Sequence, residues 1–424
     1  MRTPWIRSLA LAATLSFAAV PARASAPAGD ALFSRLAAKA IDRQALSLDL
    51  SYKALAESPA SASLELAQAH ADAVTEKAVS LSFSLAPGLE LRAYRTDSYR
   101  TTSGNLVWAG VIADPGAAGA PFSAEALPFD PQSSLMLVRS GKTITGNIHF
   151  AGDWYEIRPL RTGGHAIVLV NPAAMPPDHP AESANLKTIR MPVHEEDQDK
   201  APNKANTVIR VMVHYTPSAA SASGNIGALI DLAVAESNQG YTNSGVLITL
   251  QLATKALVAY TESGSFSTDL SRYRGTADGY MDSIHATRNS VAADVGLLVI
   301  NNATSCGLAS SIGSAASTAF ATAHLGCITG YYSFAHEIGH LQSARHDPAT
   351  DPTTTPYAYG HGYQYNGSSK WRTIMAYDCA SGCTRLNYWS NPLKTYNGQP
   401  MGTAAKNDNA RVLNSTRATV AAFR

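Results

Sequence analysis

The stretch 331-YYSFAHEIGHLQSARHD-347 carries three histidines, His336, His340 and His346, and it places Glu337 directly after the first of them. Residues four apart on an α-helix share a face, so His336 and His340 can direct both imidazoles at one ion. H-E-x-x-H on a helix is a zinc-binding pattern in which the glutamate serves as general base rather than as a ligand. The apolar and small flanking residues indicate a buried helix, where unpaired histidine and glutamate would be costly. The stretch therefore predicts a metal site rather than a solvated polar face.

The residues that follow His340 decide which side chain is the third ligand. No glutamate occurs after Glu337, so a site completed by a glutamate on a later helix is excluded. An aspartate could supply the third ligand instead, but none of the three candidates lies in a helical pattern: Asp351, Asp378 and Asp408. His346 can reach the same ion if the helix ends near Ser343 and the chain then turns back. We therefore expect His346 to complete the set with His336 and His340.

The extended pattern H-E-x-x-H-x-x-x-x-x-H, together with 373-TIMAYDC-379, resembles the metzincin zinc peptidases. Within them it is similar to the bacterial peptidyl-Asp metalloendopeptidases and their reprolysin-like relatives. The resemblance implies one catalytic Zn²⁺ on the three histidines and Glu337 as the base that activates water. It also implies that Met375 is the apolar floor beneath the imidazoles. Protein or peptide substrates are then expected.

Three further residues stand in or near this pattern: Ser343, Tyr377 and Asp347. Metzincins have glycine three residues after the second histidine, and Ser343 stands there instead, at a backbone cost on the order of 1 kcal/mol. Tyr377 either hydrogen-bonds the reaction intermediate, acts as a weak fifth ligand, or is an ordinary packed tyrosine. Asp347 is expected to be a buried supporting residue rather than a catalyst.

The resemblance also implies a pocket that binds a substrate aspartate. Peptidyl-Asp enzymes cut on the N-terminal side of aspartate, and the chain just after the methionine lines the pocket beyond the cut bond. In this chain it reads 378-DCASGCTRLNYWSNP-392, with Arg385 as its one basic residue. A guanidinium can bind a carboxylate through two hydrogen bonds, which lysine cannot match. We expect Arg385 to bind the aspartate, with Arg372 as its rival and an ordinary surface arginine as the alternative.

Composition and the N-terminal sequence restrict the expected partners and the expected location of the protein. The chain has 424 residues, with 33 Lys and Arg against 32 Asp and Glu, which provides no charged surface for nucleic acid or an anionic membrane. Residues 1–24 have basic residues, a short apolar run and an A-x-A site, the pattern of a secretory signal peptide. No later apolar run reaches membrane length. We expect a monomer that is secreted to the extracellular space, through the periplasm if the cell is Gram-negative.

The four cysteines agree with export, because an even number of cysteines pairs in an oxidising compartment. We expect Cys306–Cys327 and Cys379–Cys383, since each pair closes a short local loop. A four-cysteine zinc site is the alternative, but it needs C-x-x-C spacings that neither pair has.

Residues 25–200 and 205–424 differ in pattern. The first part begins with Ala-rich helical periodicity at residues 31–77 and then becomes rich in strands, with a hairpin turn expected at Gly163-Gly164. Two segments rich in proline or charge, 171-NPAAMPPDHP-180 and 194-HEEDQDKAPNKAN-206, predict an exposed linker.

The second part alternates strands with helices, which predicts an α/β (α+β) domain. The expected fold is a twisted, mostly parallel sheet backed by two long helices, the second carrying His336, Glu337 and His340. Beyond Asp347 the chain is rich in Gly, Asn, Thr and Tyr, which indicates loops. Strands and helices alternate along residues 207–217, 226–241, 246–257, 277–290 and 294–300.

By resemblance, residues 25–200 form a β-rich propeptide that covers the cleft and inhibits the enzyme. We call residues 25–200 the leader. It contains no cysteine that could block zinc, so latency needs another ligand or steric cover. Asp178, His179 and the cluster Glu195–Asp199 are the candidates. The bonds Glu196-Asp197 and Gln198-Asp199 are of the Xaa-Asp type, which predicts self-processing there. A secreted metzincin-like binding or adhesion protein without proteolytic activity is the alternative function, and it rests on Ser343 alone.

Overall fold

The computed structural model describes residues 31–37, 42–86, 88–113, 129–181, 186–192 and 205–424. The predicted signal peptide, the acidic cluster Glu195–Asp199 and its two Xaa-Asp bonds lie outside the described residues. Within the described ranges, no helix has the length and apolar character needed to cross a membrane.

The leader forms one antiparallel sheet of nine strands in the order β1-β2-β9-β8-β7-β6-β5-β4-β3. Its core includes Phe83, Trp108 and Leu137. Positive φ at Gly163 and Gly164 makes the predicted turn between β8 and β9. The strands are β1 (Phe33–Arg35), β2 (Ser61–Ala69), β3 (Ser80–Ala86), β4 (Leu89–Arg100), β5 (Leu106–Ile112), β6 (Ser133–Ser140), β7 (Thr143–Phe150), β8 (Asp153–Pro159) and β9 (His165–Val170).

The helix expected at residues 31–77 is largely wrong. Among the residues of this segment that the structure describes, 31–37 and 42–77, only α1 (Arg43–Leu48) and α2 (Leu50–Ala56) are α-helical, and each begins at an aspartate cap. The Ala-rich segment that follows is strand β2, which pairs with β9 on one side and β1 on the other. Pairing within the sheet outweighs the helical preference of alanine, which is a weak bias for a single segment.

The second part is built on a five-stranded sheet in the order β11-β10-β12-β14-β13. Its first three strand pairs are parallel and the edge strand β13 is antiparallel, which agrees with the predicted mostly parallel sheet. The strands are β10 (Thr207–Tyr215), β11 (Ile248–Leu257), β12 (Val295–Ile300), β13 (Gly307–Ala309) and β14 (Phe320–His324). The helices before the zinc motif are α3 (Pro217–Ala222), α4 (Ile226–Ser244), α5 (Phe266–Arg274) and α6 (Ile284–Ser290).

Helix α4 lies between the two sheets. Its apolar residues on one side pack into the core of the second part, while Ala228, Leu232 and Ala235 contact Val107 and Val138 of the leader. A helix with two buried faces needs apolar residues on both, and this sequence has them.

The motif helix α7 (Ser333–Leu341) has nine residues, so the expectation of a second long helix is wrong. After it come only short strands and one further helix: β15 (Gln364–Tyr365), β16 (Trp371–Arg372), β17 (Thr384–Arg385), β18 (Asn391–Tyr396), β19 (Gln399–Met401) and α8 (Asn409–Val420). Helix α8 was not anticipated, although Asp408 caps it as a helix-starting residue does. Both predicted disulfides are confirmed: Cys306–Cys327 and Cys379–Cys383.

Polar pairs supplement the apolar contact between the leader and the second part of the chain. Asn147 Nδ2 donates to Glu236 Oε1 at 2.5 Å, and Tyr332 Oη lies 3.1 Å from His149 Nε2. Burial raises the pKa of Glu236 to about 7, although its bonds from Asn147 and the Gly330 amide work against that rise. Burial lowers the pKa of His149 to about 4. Both groups therefore favour their neutral forms while the leader is docked.

Candidate metal centre

The end of α7 turns the chain back toward the helix, as the position of the third histidine requires. Ser343 adopts φ 73°, the left-handed conformation expected of the glycine it replaces. Its amide donates to the His340 carbonyl at 2.9 Å, and the Ala344 amide donates to Gly339 at 3.0 Å. This pair of bonds is the Schellman motif that ends many helices. Serine therefore carries the turn, at a cost of about 1 kcal/mol relative to glycine.

The turn brings the three histidines of the motif to one point. His336 Nε2 lies 3.1 Å from His340 Nε2, which lies 2.9 Å from His346 Nε2. Ligand nitrogens around a tetrahedral zinc ion would stand about 3.3 Å apart, since each Zn–N bond is about 2.0–2.1 Å. The three nitrogens therefore converge at close to the spacing that one ion needs.

Backbone carbonyls orient two of these rings. His336 Nδ1 donates to the Ile374 carbonyl and His340 Nδ1 donates to the Ala344 carbonyl, each at 2.9 Å. With Nδ1 carrying the proton, Nε2 keeps its lone pair for a metal, which is the usual arrangement of a ligand histidine.

Burial also keeps the imidazoles neutral. Burial lowers the pKa of His340 to about 3, and it lowers the pKa of His336 and His346 well below the usual range. Neutral imidazole is the form that binds a metal. The donor set, its tautomers and its spacing therefore fit a divalent ion such as zinc.

Met375 packs against α7, and Asp347 and Tyr377 lie beside the histidines. Met375 is fully buried in the same core as α7. Asp347 is buried, and its Oδ2 accepts from the Tyr377 amide at 3.1 Å, so it fixes the turn and stands back from the centre. The Tyr377 ring centroid lies 4.5 Å from that of His346, which puts this tyrosine at the rim of the site.

Helix α7 carries no lysine or arginine that could pair with the Glu337 carboxylate. Its carboxylate is almost fully buried, and burial raises its pKa while the nearby His179 opposes the rise. A β-carbon at Gly307 on β13 would lie 2.2 Å from Glu337 Oε1. The edge strand therefore needs glycine there to leave room for this carboxylate.

A buried cationic pocket adjoins the centre. Arg385 Nη2 donates to both carboxylate oxygens of Asp178 at 2.8 Å, and Arg372 Nη1 donates to Asp178 Oδ2 at 3.5 Å. Tyr331 completes the pocket, since the Arg385 guanidinium lies 4.2 Å from its ring centroid. Both arginines also donate to the Ala376 carbonyl, directly after Met375. The two rival arginines thus act on the same carboxylate, and neither lies on the surface.

The structure also places a fourth histidine at the centre. One ring nitrogen each of His179, His336, His340 and His346 lies within 4.8 Å of the others. The expectation that residues 171–180 form part of an exposed linker is therefore wrong, since Asp178 and His179 are both buried. Salt bridges to the arginines and contacts with the histidines bury this segment despite its polar composition.

Comparison with known proteins agrees with the geometry. Residues 205–390 match Reprolysin_5, of metallo-peptidase family M12. A peptidyl-Asp metalloendopeptidase of Stenotrophomonas maltophilia (strain R551-3) is 51% identical over 376 residues, which cover 87% of this chain and 88% of that protein. A peptidyl-Asp metalloendopeptidase of Xanthomonas campestris is 50% identical over 369 residues and is covered to 87%, as is this chain.

The chain belongs to the peptidyl-Asp metalloendopeptidase family.

Membership of the peptidyl-Asp metalloendopeptidase family makes this chain a hydrolase of peptide bonds that depends on a metal. The metzincin resemblance is confirmed, and its α/β catalytic domain is the one seen here. The alternative of a non-proteolytic binding protein rested on Ser343 in place of glycine. Because Ser343 forms the turn that glycine would form, this alternative loses its support.

From the sequence, Tyr331 in the peptidyl-Asp metalloendopeptidase site was missed, and His179 was named without being singled out. Tyr331, at the start of the opening stretch, supplies the ring and the hydroxyl that contact Arg385 and Arg372. His179 was one candidate among several for latency, and its only local signal is an Asp-His pair between prolines.

Proposed function

We propose that the chain is secreted as a zymogen whose mature form is a zinc endopeptidase that hydrolyses the bond on the N-terminal side of aspartate. Residues 1–24 would be the signal peptide, 25–200 the propeptide and 205–424 the peptidase domain. One observation carries the aspartate preference: two buried arginines bind a carboxylate beside three converging histidines. The relatives' designation as peptidyl-Asp enzymes supports the same preference.

His336, His340 and His346 would hold the ion through Nε2. When bound, zinc supplies a Lewis acid that activates water and polarises the carbonyl of the bond to be cut. The rest of the chemistry belongs to side chains of this chain.

Glu337 is the general base and acid of the proposed mechanism. Burial raises the pKa of its carboxyl group in the full-length chain, and a carboxylate with a raised pKa accepts a proton from the attacking water more readily than an exposed glutamate would. The same carboxyl then delivers the proton to the nitrogen of the leaving amine. Tyr377 stands at the rim with a hydroxyl that can donate to the oxygen on which negative charge develops.

Arg385 and Arg372 would select the residue after the cut bond. Burial of the Arg385 guanidinium removes it from water, so only a group carrying negative charge compensates fully for its desolvation. The spacing is suitable, because adjacent residues Asp178 and His179 reach the pocket and the centre together. A pocket one residue from the metal is where the side chain following the cut bond would lie.

Treatment of a denatured protein with the mature enzyme tests the activity and the metal. We expect degradation that stops with a chelator, returns with added zinc, and is absent from a Glu337→Gln variant. Metal analysis of the purified wild type should give about one zinc per chain. Undiminished degradation by metal-free enzyme or by Glu337→Gln would overturn the mechanism.

A further inference from the structure

We propose that the dipeptide Asp178-His179 is the inhibitor of the latent chain: His179 is the fourth ligand of the metal, and Asp178 fills the pocket for the substrate aspartate. This inference rests on the proposed function, because it takes the centre to be a metal site and the arginine pocket to be its substrate pocket.

His179 is placed as a ligand would be. Its ring centroid lies 5.0, 5.1 and 4.7 Å from those of His336, His340 and His346, so it covers all three. Its Nδ1 lies 2.9 Å from the Tyr377 hydroxyl, so Nε2 is the ring nitrogen that faces Glu337 and the centre. Three protein ligands and one open position define a catalytic zinc site, whereas four protein ligands close it.

His179 would also withdraw both catalytic side chains from use. Its Nε2 lies 3.1 Å and 3.4 Å from the two oxygens of Glu337, where attacking water would have to sit. Its Nδ1 is hydrogen-bonded to the Tyr377 hydroxyl, which is then not available to a substrate. One leader residue therefore contacts the base, the rim tyrosine and the three histidines.

Asp178 is bound as a substrate aspartate would be. The carboxylate is buried, accepts two hydrogen bonds from Arg385 and lies within reach of Arg372. The two guanidiniums face this buried carboxylate and compensate its charge in the pocket. A substrate aspartate cannot enter while this carboxylate is there.

The direction of the segment explains why the inhibitor would not be cut. A bond cleaved before aspartate must bring the residue preceding that aspartate to the metal, but here the residue that follows it, His179, stands there. The Pro177 carbonyl accepts from the Cys306 amide at 2.8 Å, and the Asp178 carbonyl accepts from the Gly307 amide at 3.0 Å. Both carbonyls that flank the Pro177-Asp178 bond are thus held by the edge strand.

The leader is also held beyond the dipeptide. The Ile189 amide donates to the Ile312 carbonyl at 2.8 Å, and the Ile312 amide donates to Lys187 at 3.0 Å. Arg345 Nη2 donates to Thr188 Oγ1 at 2.6 Å. These contacts tether the chain on the far side of the centre, which raises the effective concentration of the dipeptide at the site.

The ligand role can be tested on the full-length chain without relying on activity. In a Glu337→Gln background, which prevents self-processing, the metal is replaced by Co²⁺ and the visible absorption is recorded. We expect His179→Ala to change the spectrum, because a nitrogen ligand is lost from a four-nitrogen site. His70→Ala removes an exposed leader histidine away from the centre and should leave the spectrum unchanged. An unaltered His179→Ala spectrum, or an equal change in His70→Ala, would overturn the assignment.

The pocket role needs a second measurement in the same background. We expect Asp178→Asn to accelerate hydrogen exchange of the Gly307 amide about tenfold or more, because a buried ion pair anchors this segment. Asparagine keeps the size of the side chain, so the fold is retained. Unchanged exchange would refute the anchor. If both measurements succeed while the mature enzyme cuts nothing, the proposed function fails and the contact between leader and metal stands. If the enzyme is active and both measurements fail, only the inhibitor is wrong.

Discussion

Replacing Arg385 by alanine should convert a selective peptidase into a poorly selective one. Arg385 Nη2 makes both of the 2.8 Å hydrogen bonds to the carboxylate in the pocket, whereas Arg372 approaches it only to 3.5 Å. The Arg385→Ala variant therefore removes the closer cation and keeps the more distant one. Removing one partner of a buried ion pair costs about 3–5 kcal/mol, because the other charge stays buried and unpaired.

We take the lower end of that range for Arg385→Ala, since Arg372 continues to compensate part of the carboxylate charge. A loss of about 3 kcal/mol corresponds to a decrease of about 10²-fold in kcat/KM for a substrate with aspartate after the cut bond. A matched substrate with asparagine there carries no charge to lose. Its kcat/KM should fall less than about tenfold.

The assay compares two fluorogenic peptides that differ only in aspartate or asparagine at that position, cleaved by the mature wild type and by Arg385→Ala. Arg385 lines a cavity of about 500 Å³, and Lys370 lines it as well. Lys370→Ala is the matched control, because its ammonium donates to the Ser381 hydroxyl rather than to the carboxylate in the pocket. Arg385 also donates to the Tyr331 carbonyl, so thermal unfolding and metal content must show that the variant is folded. An equal loss on both peptides, or full retention of the aspartate preference, would refute the reasoning.

Three further predictions concern the turn, maturation and pH. Ser343→Gly should raise the free energy of unfolding by about 1 kcal/mol, because glycine adopts φ 73° without strain; an unchanged or lower midpoint in urea would contradict this. Full-length Glu337→Gln should remain uncut at the Xaa-Asp bonds of residues 196–199, and maturation there without added protease would disprove self-processing. Between about pH 4.5 and 6.5 the docked leader keeps a proton on Glu236 and keeps one off His149, so the two linkages oppose each other. Glu236→Gln removes the Glu236 side of this opposition, so the urea midpoint for leader release should fall more steeply as pH falls through that range than it does in the wild type; an equal pH dependence in both proteins would refute the linkage.

Local pattern was sufficient for most of the centre. The three motif histidines lie within eleven positions of one another, so helix periodicity and one turn bring them together. The disulfides were equally local, since each closes a short loop. Arg385 could be named because it is the one basic residue in a short segment after Met375, although its partner could not.

Long-range contacts account for what the sequence did not reveal. His179 stands 158 residues before Glu337, and no local spacing links the two. Strand β2 was mistaken for helix because its Ala-rich sequence has helical preference, while its pairing with β9 is decided far along the chain. Helix α7 is shorter than expected because Tyr332, at φ 62°, caps its start just before Ser333, while the left-handed turn at Ser343 ends it near the predicted residue.

A map of cleavage sites tests the central claim most directly. A denatured mixture of proteins is digested by the mature enzyme with and without a zinc chelator, and the new N-termini are identified by mass spectrometry. The arginine pocket beside the three histidines predicts chelator-sensitive cuts whose new N-terminal residue is predominantly aspartate. Chelator-sensitive cuts with no preference for aspartate would contradict the pocket assignment. No cuts from folded, zinc-loaded protein would contradict the proposed peptidase activity itself.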